Sequence, residues 1–239
     1  MMLNNVDHKD TRIITDRSAE YGDNAMFART FPFEFRSVQG SYPILLHRDG
    51  RGEVYPVALF GFEEGENLFL DESGWHARYV PAMVRRQPFL IGFGPEAAGG
   101  DGERRRMLSL DMDSPRVSKE RGTPLFDALG GRTRFLEEMA TLLETLYHGT
   151  EHGKKFIEAL QEHGLVESVT FDITLEDGSR NQLLGFYAVD EEKVRALPDE
   201  ALGRLSREGF LMPLFMMLAS TVNMAALVEL KNARRKGAA

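Results

Sequence analysis

No cysteine occurs in the 239 residues. Structural disulfides, Cys-ligated zinc, iron–sulfur clusters and thiol nucleophiles are excluded with it. Long basic tracts are missing too. The balance of 29 Lys+Arg against 37 Asp+Glu leaves a net charge of −8 and a pI near 5.4, so no nucleic-acid partner is expected. The first thirty residues hold short apolar pieces such as Ile13-Ile14 among charges, with no apolar block behind a basic start. No secretory signal peptide is expected, and the expected location is the cytoplasm. A surface location would need an export route that reads no N-terminal signal. None of the strong enzyme patterns occurs: no phosphate-binding Gly-x-x-x-x-Gly-Lys, no Gly-x-Gly-x-x-Gly, no His-Glu-x-x-His, no Gly-x-Ser-x-Gly. No cofactor is therefore expected.

What is present is the composition of a globular chain: 42% hydrophobic, 28% charged and 10% aromatic. The length suits one large domain or two small ones. Phe27, Phe31, Phe33 and Phe35 alternate with other residues, the period of a half-buried strand, which Pro32 makes an edge or broken one. Ile44-Leu45-Leu46 and Val54 to Phe60 flank an Asp49-Gly50 turn and predict a hairpin. Trp75 to Arg86 predicts a short helix ended by Pro88, and Phe89 to Phe93 a buried strand. Gly94 to Gly102 reads as a loop, with the best internal boundary near 94–106. Thr133 to Leu146 and Thr150 to His163 predict two helices separated at Gly149. Val166 to Leu175 and Gln182 to Val189 predict a second hairpin across Glu176-Asp177-Gly178-Ser179. Asp190 and Asp199 are read as starting two short helices. The expected class is α+β: an antiparallel, strand-rich N-terminal half, a mainly helical C-terminal half and a buried apolar C-terminal helix.

That last helix is the chain's ambiguous segment. Phe210 to Val228 contains no charged residue and is followed by Lys231, Arg234, Arg235 and Lys236. Nineteen helical residues span roughly 28 Å, close to a bilayer core. Pro213, Ser220, Thr221 and Asn223 are poor bilayer residues, and Met212, Met216 and Met217 suit irregular gaps in a protein core. A core helix is the preferred reading, no membrane span is expected, and a tail anchor is the competing one.

Four constellations bear chemistry. Asp111 and Asp113 would project from one strand face and converge on a hard cation or act as an acid/base pair; a solvated strand end entering the Ser114-Pro115 turn is the alternative. His148 and His152 would share a helix face suited to a metal, but Gly149 and Gly153 argue for a break there, and no metal site is expected. Trp75, Tyr79, Arg85 and Arg86 combine aromatics with paired guanidinium groups able to grip a carboxylate, a phosphate or a peptide. Ser220 and Asn223 place a hydroxyl and an amide inside the apolar run, where they must find hydrogen-bond partners, most simply by capping a neighbouring loop.

The motifs Tyr55-Pro56, Trp75-His76-Ala77-Arg78-Tyr79-Val80-Pro81, Arg85-Arg86-Gln87-Pro88-Phe89 and Leu110-Asp111-Met112-Asp113-Ser114-Pro115 resemble the bacterial SapC family. The likeness continues through Gly122-Thr123-Pro124-Leu125-Phe126, Gly185-Phe186-Tyr187, Asp190-Glu191-Glu192-Lys193, Leu197-Pro198 and Gly209-Phe210-Leu211, spanning roughly residues 27 to 232. Gln87 stands where SapC-like chains often have Tyr. The resemblance implies a SapC-like domain over 26–239, with 1–25 loosely packed or poorly ordered. It also implies an association with a bacterial surface layer and its export apparatus. The peptide-transporter permeases that share the name need several membrane spans and are a different family. No catalytic residues carry over. The expectation is a non-enzymatic binding or accessory protein with a protein partner or a small anionic ligand. Its candidate ligand-binding residues are Trp75, Tyr79, Arg85, Arg86, Asp111 and Asp113. The alternative is an enzyme or small-molecule sensor that uses Asp111 and Asp113 with an Arg85/Arg86 anion surface.

Overall fold

The computed structural model describes residues 1–96 and 104–238. In chain order the elements are β1 (Arg12–Ile13), β2 (Phe27–Arg29), α1 (Phe35–Val38), β3 (Ile44–Arg48), β4 (Val54–Leu59), β5 (Leu70–Asp71), β6 (Gly74–Trp75), α2 (Ala82–Arg85), β7 (Phe89–Glu96) and β8 (Arg104–Leu110). There follow β9 (Val117–Ser118), β10 (Thr123–Pro124), α3 (Arg134–Glu162), β11 (Val166–Thr174), β12 (Arg180–Val189), α4 (Glu191–Arg195), α5 (Asp199–Arg207), α6 (Leu211–Ser220) and α7 (Asn223–Ala238). This is an α+β architecture in which every strand pairing is antiparallel.

The central sheet has five strands in the order β11-β12-β3-β4-β2. Both hairpins read from the sequence are in it, and they join where Phe186 faces His47 and Tyr187 faces Leu46. Ile44, Leu45 and Leu46 are all buried, because the sheet is covered on both faces. Ile44, Leu46, Ala58 and Phe60 pack with α1, the C-terminal half of α3 and α6. Leu45, Val57 and Leu59 pack on the other side with Phe62, Leu183 and Leu227 of α7. A continuous apolar run rather than an alternating one is what a doubly covered strand requires. A third core joins Ile13, the β7–β8 hairpin and the N-terminal half of α3 through Phe89, Leu110, Leu136 and Leu143.

Several local expectations differ from the structure. Residues 133–163 form one helix, not two. Thr133 caps it by accepting the Leu136 amide, and Gly164 ends it at φ +65°. Gly149 sits buried inside it because a side chain there would meet the Phe33 ring, with an ideal Cβ 2.6 Å from Phe33 Cε1. Phe33 stacks on Phe31 at 5.6 Å, so the glycine marks a close crossing and not a break. The phenylalanine alternation ends early for a related reason: after β2 the chain turns at Pro32 and enters α1 at Phe35. The helix expected over 75–86 shortens to α2, since Trp75 belongs to a strand and Pro81 stands at the helix N-cap. Residues 1–25, expected to be loose, include β1 at the centre of the β10-β1-β9 sheet and bury Ile13, Ile14 and Tyr21. Two residues of strand are too short for a periodicity to show. The loop and boundary read near 94–106 fall largely on 97–103, outside the described residues.

The apolar C-terminal run makes α6 and the first turns of α7, divided at Thr221-Val222. Leu211–Gly237 contains a stretch with the length and mean hydropathy, 1.8, of a membrane span, of which 33% is buried within the fold. Pro213, Leu214, Met216 and Met217 are buried, whereas Met212 and Phe215 are exposed. The polar residues of the run do what capping groups do. The Ser220 hydroxyl accepts the Ile44 amide, and the Asn223 side-chain amide donates to the carbonyls of Gln39 and Tyr42.

Candidate functional site

The six residues singled out in the sequence lie in four environments. Trp75 and Tyr79 are part of a hydrogen-bonded core. Trp75 Nε1 donates to the Tyr42 hydroxyl at 2.8 Å, which in turn donates to the Tyr79 carbonyl. The Tyr79 hydroxyl donates to Glu34 Oε2 at 2.7 Å. Burial, and then the nearby Glu34 carboxylate, push the Tyr79 phenol well above its ordinary range, so it stays protonated and donating. Glu34 also accepts from the Thr30 hydroxyl and the Ala82 amide, which ties α1 to the start of α2. The aromatic pair therefore builds the floor on which α2 stands.

Asp111 and Asp113 are exposed at the end of β8. Asp111 Oδ1 accepts the Asp113 amide at 3.2 Å, so the first carboxylate shapes the turn toward Ser114-Pro115. Neither lines any of the four main cavities formed by the described residues. His148 and His152 do share a helix face, since α3 is continuous. They go separate ways: His148 meets Glu144 at 3.2 Å and His152 lies against the Phe210 ring. Among the described residues no cluster of three metal-ligating side chains occurs.

Arg85 and Arg86, adjacent at the end of α2, line different cavities. Arg86 donates to the Phe89 carbonyl at 2.8 Å and lines a cleft of about 400 Å³ between β7 and α3. Burial lowers its guanidinium below the ordinary value, and among the described residues no carboxylate lies within 4 Å of it. Phe31, Leu143 and Leu146 form apolar walls, and Leu90 and Phe93 stand at the rim, 41% and 55% exposed. A neighbouring cavity of about 560 Å³ shares Ile91 and Leu143 with this cleft. Between them Arg106 lies over the Tyr147 ring at 4.4 Å and pairs with Glu144 at 2.8 Å, a strap from β8 to α3.

Arg85 lines a smaller cavity, about 100 Å³, with Arg17 and Arg116. Arg116 is 1% exposed, pairs with Asp23 and donates to the carbonyls of Ile14 and Asp16. Arg17 reaches the same Asp23 carboxylate at 3.2 Å and donates to the Val84 carbonyl. Burial most of all, then repulsion from Arg116 and Arg85, outweigh the pull of Asp23 and leave the Arg17 guanidinium below its ordinary value. Arg17, Asp23 and Arg116 were not singled out in the sequence. Their spacing carries no local signal, and only the pairing of β1 with β9 brings the two ends of the cluster together.

A SapC family model matches residues 3–227. The chain belongs to the SapC family. No curated protein and no solved structure matches it significantly. Within this family member the matched span takes in all six residues of the sequence reading, the cleft beside α3 and the arginine cluster. Membership alone assigns no role to any of them.

Proposed function

We propose that this SapC-family chain is a non-enzymatic binding protein that docks a partner protein in the cleft between β7 and α3. The setting implied by the resemblance is surface-layer biogenesis or transport. One observation carries the reading: Leu90 and Phe93 stand exposed at the rim of an apolar cleft whose single inward guanidinium, Arg86, has no carboxylate within 4 Å among the described residues. Apolar side chains flanking a desolvated cation match a partner segment with large apolar residues around an acidic one. The favourable part of docking comes from covering Leu90 and Phe93, and the Arg86 pair sets register.

The test is site-specific photo-crosslinking in cells that naturally make the protein. A photoreactive residue at Phe93 is expected to give one discrete adduct that disappears in the Leu90→Asp background. The same probe at Leu129, which is 98% exposed and away from the cleft, is expected to give none. Identical patterns from the two positions, or no adduct from Phe93, would remove the proposal.

A further inference from the structure

The cluster of Arg17, Arg85 and Arg116 holds more positive charge than the fold needs. Guanidinium groups stay protonated in proteins, so among the described residues three of them oppose a single paired carboxylate, Asp23. One arginine would satisfy that carboxylate: Arg116 already binds Asp23 and two backbone carbonyls while buried. Arg17 takes the second oxygen of the same group. Arg85, exposed at the mouth, has no carboxylate within 4 Å among the described residues; its neighbour is the Tyr79 hydroxyl. The other buried carboxylate nearby, Glu34, is taken up by Thr30, Tyr79 and Ala82, and burial raises it toward its neutral form.

A second observation is independent of charge. Arg116 Nε is buried and has no hydrogen-bond partner among the described residues. A buried donor left unpaired costs about 1–3 kcal/mol, so such a group calls for an occupant. The cavity beside it, about 100 Å³, is also lined by Thr15 and Gln87, two neutral polar residues, and by apolar Ile13, Phe135 and Met139. The apolar walls lower the local dielectric and strengthen any ion held there.

We propose that this cavity is an oxyanion site that binds the phosphate group of a small molecule through Arg17, Arg85 and Arg116. The charge decides between oxyanions. A phosphate monoester carries about −1.5 to −2 at neutral pH and offsets the two unmatched guanidinium groups. A carboxylate would leave one unmatched. Guanidinium groups also bind phosphate oxygens in pairs, with Asp23 holding Arg17 and Arg116 in orientation from behind. The site is separate from the cleft beside α3, so either proposal stands or falls without the other.

The experiment uses inorganic phosphate as the probe, titrated into the full chain against acetate and chloride at matched ionic strength. Phosphate is expected to raise the melting temperature saturably and to shift the Arg116 Nε–H resonance, with acetate and chloride doing neither. Arg85→Ala is expected to weaken phosphate binding at least tenfold with a melting temperature in chloride no lower than the parent's, because Arg85 is exposed, holds no carboxylate among the described residues and repels Arg17. Gln87→Ala, a second variant at the wall, is expected to weaken binding by a smaller factor. The proposal is overturned if phosphate acts no differently from chloride, if acetate matches it, if binding leaves the Arg116 resonance in place, or if Arg85→Ala binds as the parent does.

Discussion

The Ser220 hydroxyl accepts the Ile44 amide hydrogen at 2.9 Å and donates to the Met217 carbonyl at 2.6 Å, with Ser220 fully buried. One side chain thus ends α6 and satisfies the first amide of β3. Ser220→Ala leaves that amide buried without a partner, and is expected to cost about 1–3 kcal/mol with an unchanged denaturant slope. Urea unfolding measures it. A loss under 0.5 kcal/mol would mean that the α6–β3 junction opens to water.

The same junction bears on the apolar C-terminal run. Asn223 is bonded to the carbonyls of Gln39 and Tyr42, and Lys231, itself buried, is paired with Glu63 and Glu66. Inserting this stretch in a bilayer would break the Asn223 bonds and pull Lys231 away from both of its carboxylates. The chain is expected to purify without detergent and to leave membranes on alkaline extraction. Retention in the extracted pellet would show the opposite.

Gly149 and Phe33 offer a double-mutant cycle. Gly149→Ala is expected to destabilise by about 1–2 kcal/mol, because the added methyl meets the Phe33 ring. In a Phe33→Ala background the same change is expected to stabilise by up to about 1 kcal/mol through helix propensity. A change of the same sign in both backgrounds would show that the crossing is looser than the 2.6 Å approach implies.

Asp23 is fully buried between two arginines, so its removal is severe. Asp23→Ala leaves Arg116 buried without its counter-charge and is expected to cost about 3–5 kcal/mol in thermal or urea unfolding. Added phosphate is expected to recover part of the loss.

Glu34 sets a pH dependence. Burial, opposed by hydrogen bonds from Ala82, Tyr79 and Thr30, raises its carboxyl above the ordinary 4.5. For a group raised in the folded state, the stabilisation is complete below the unfolded value and is lost as pH rises through the folded one. Glu34→Gln, which keeps an acceptor for Tyr79 and Ala82, is expected to flatten the decline in stability above pH 4.5. Parallel pH profiles for the two proteins would count against this assignment.

What could be read from the sequence was local. The Asp49-Gly50 and Asp177-Gly178 turns sit between apolar runs, so both hairpins were legible, and Asp190 caps α4 by accepting the Lys193 amide as expected. Where distant residues decide, the reading failed. Gly149 looked like a helix break because Phe33, which explains it, is far away in the chain. The Trp75–Tyr79 spacing reads as helical, but the residues that hold the pair, Tyr42 and Glu34, flank α1 some thirty to forty-five positions earlier. The Arg85-Arg86 pair is visible in the sequence, whereas its division between two cavities is not. Nothing in the spacing of Arg17, Asp23 and Arg116 announces a cluster.

The meeting of β12 with β3 gives the polypeptide an order of assembly. During synthesis β3 leaves the ribosome long before β12, and until then its outer edge offers open N–H and C=O groups to any strand nearby. A nascent chain stalled before Arg180 is an incomplete sheet, with the β3 edge still open to any strand that can pair with it.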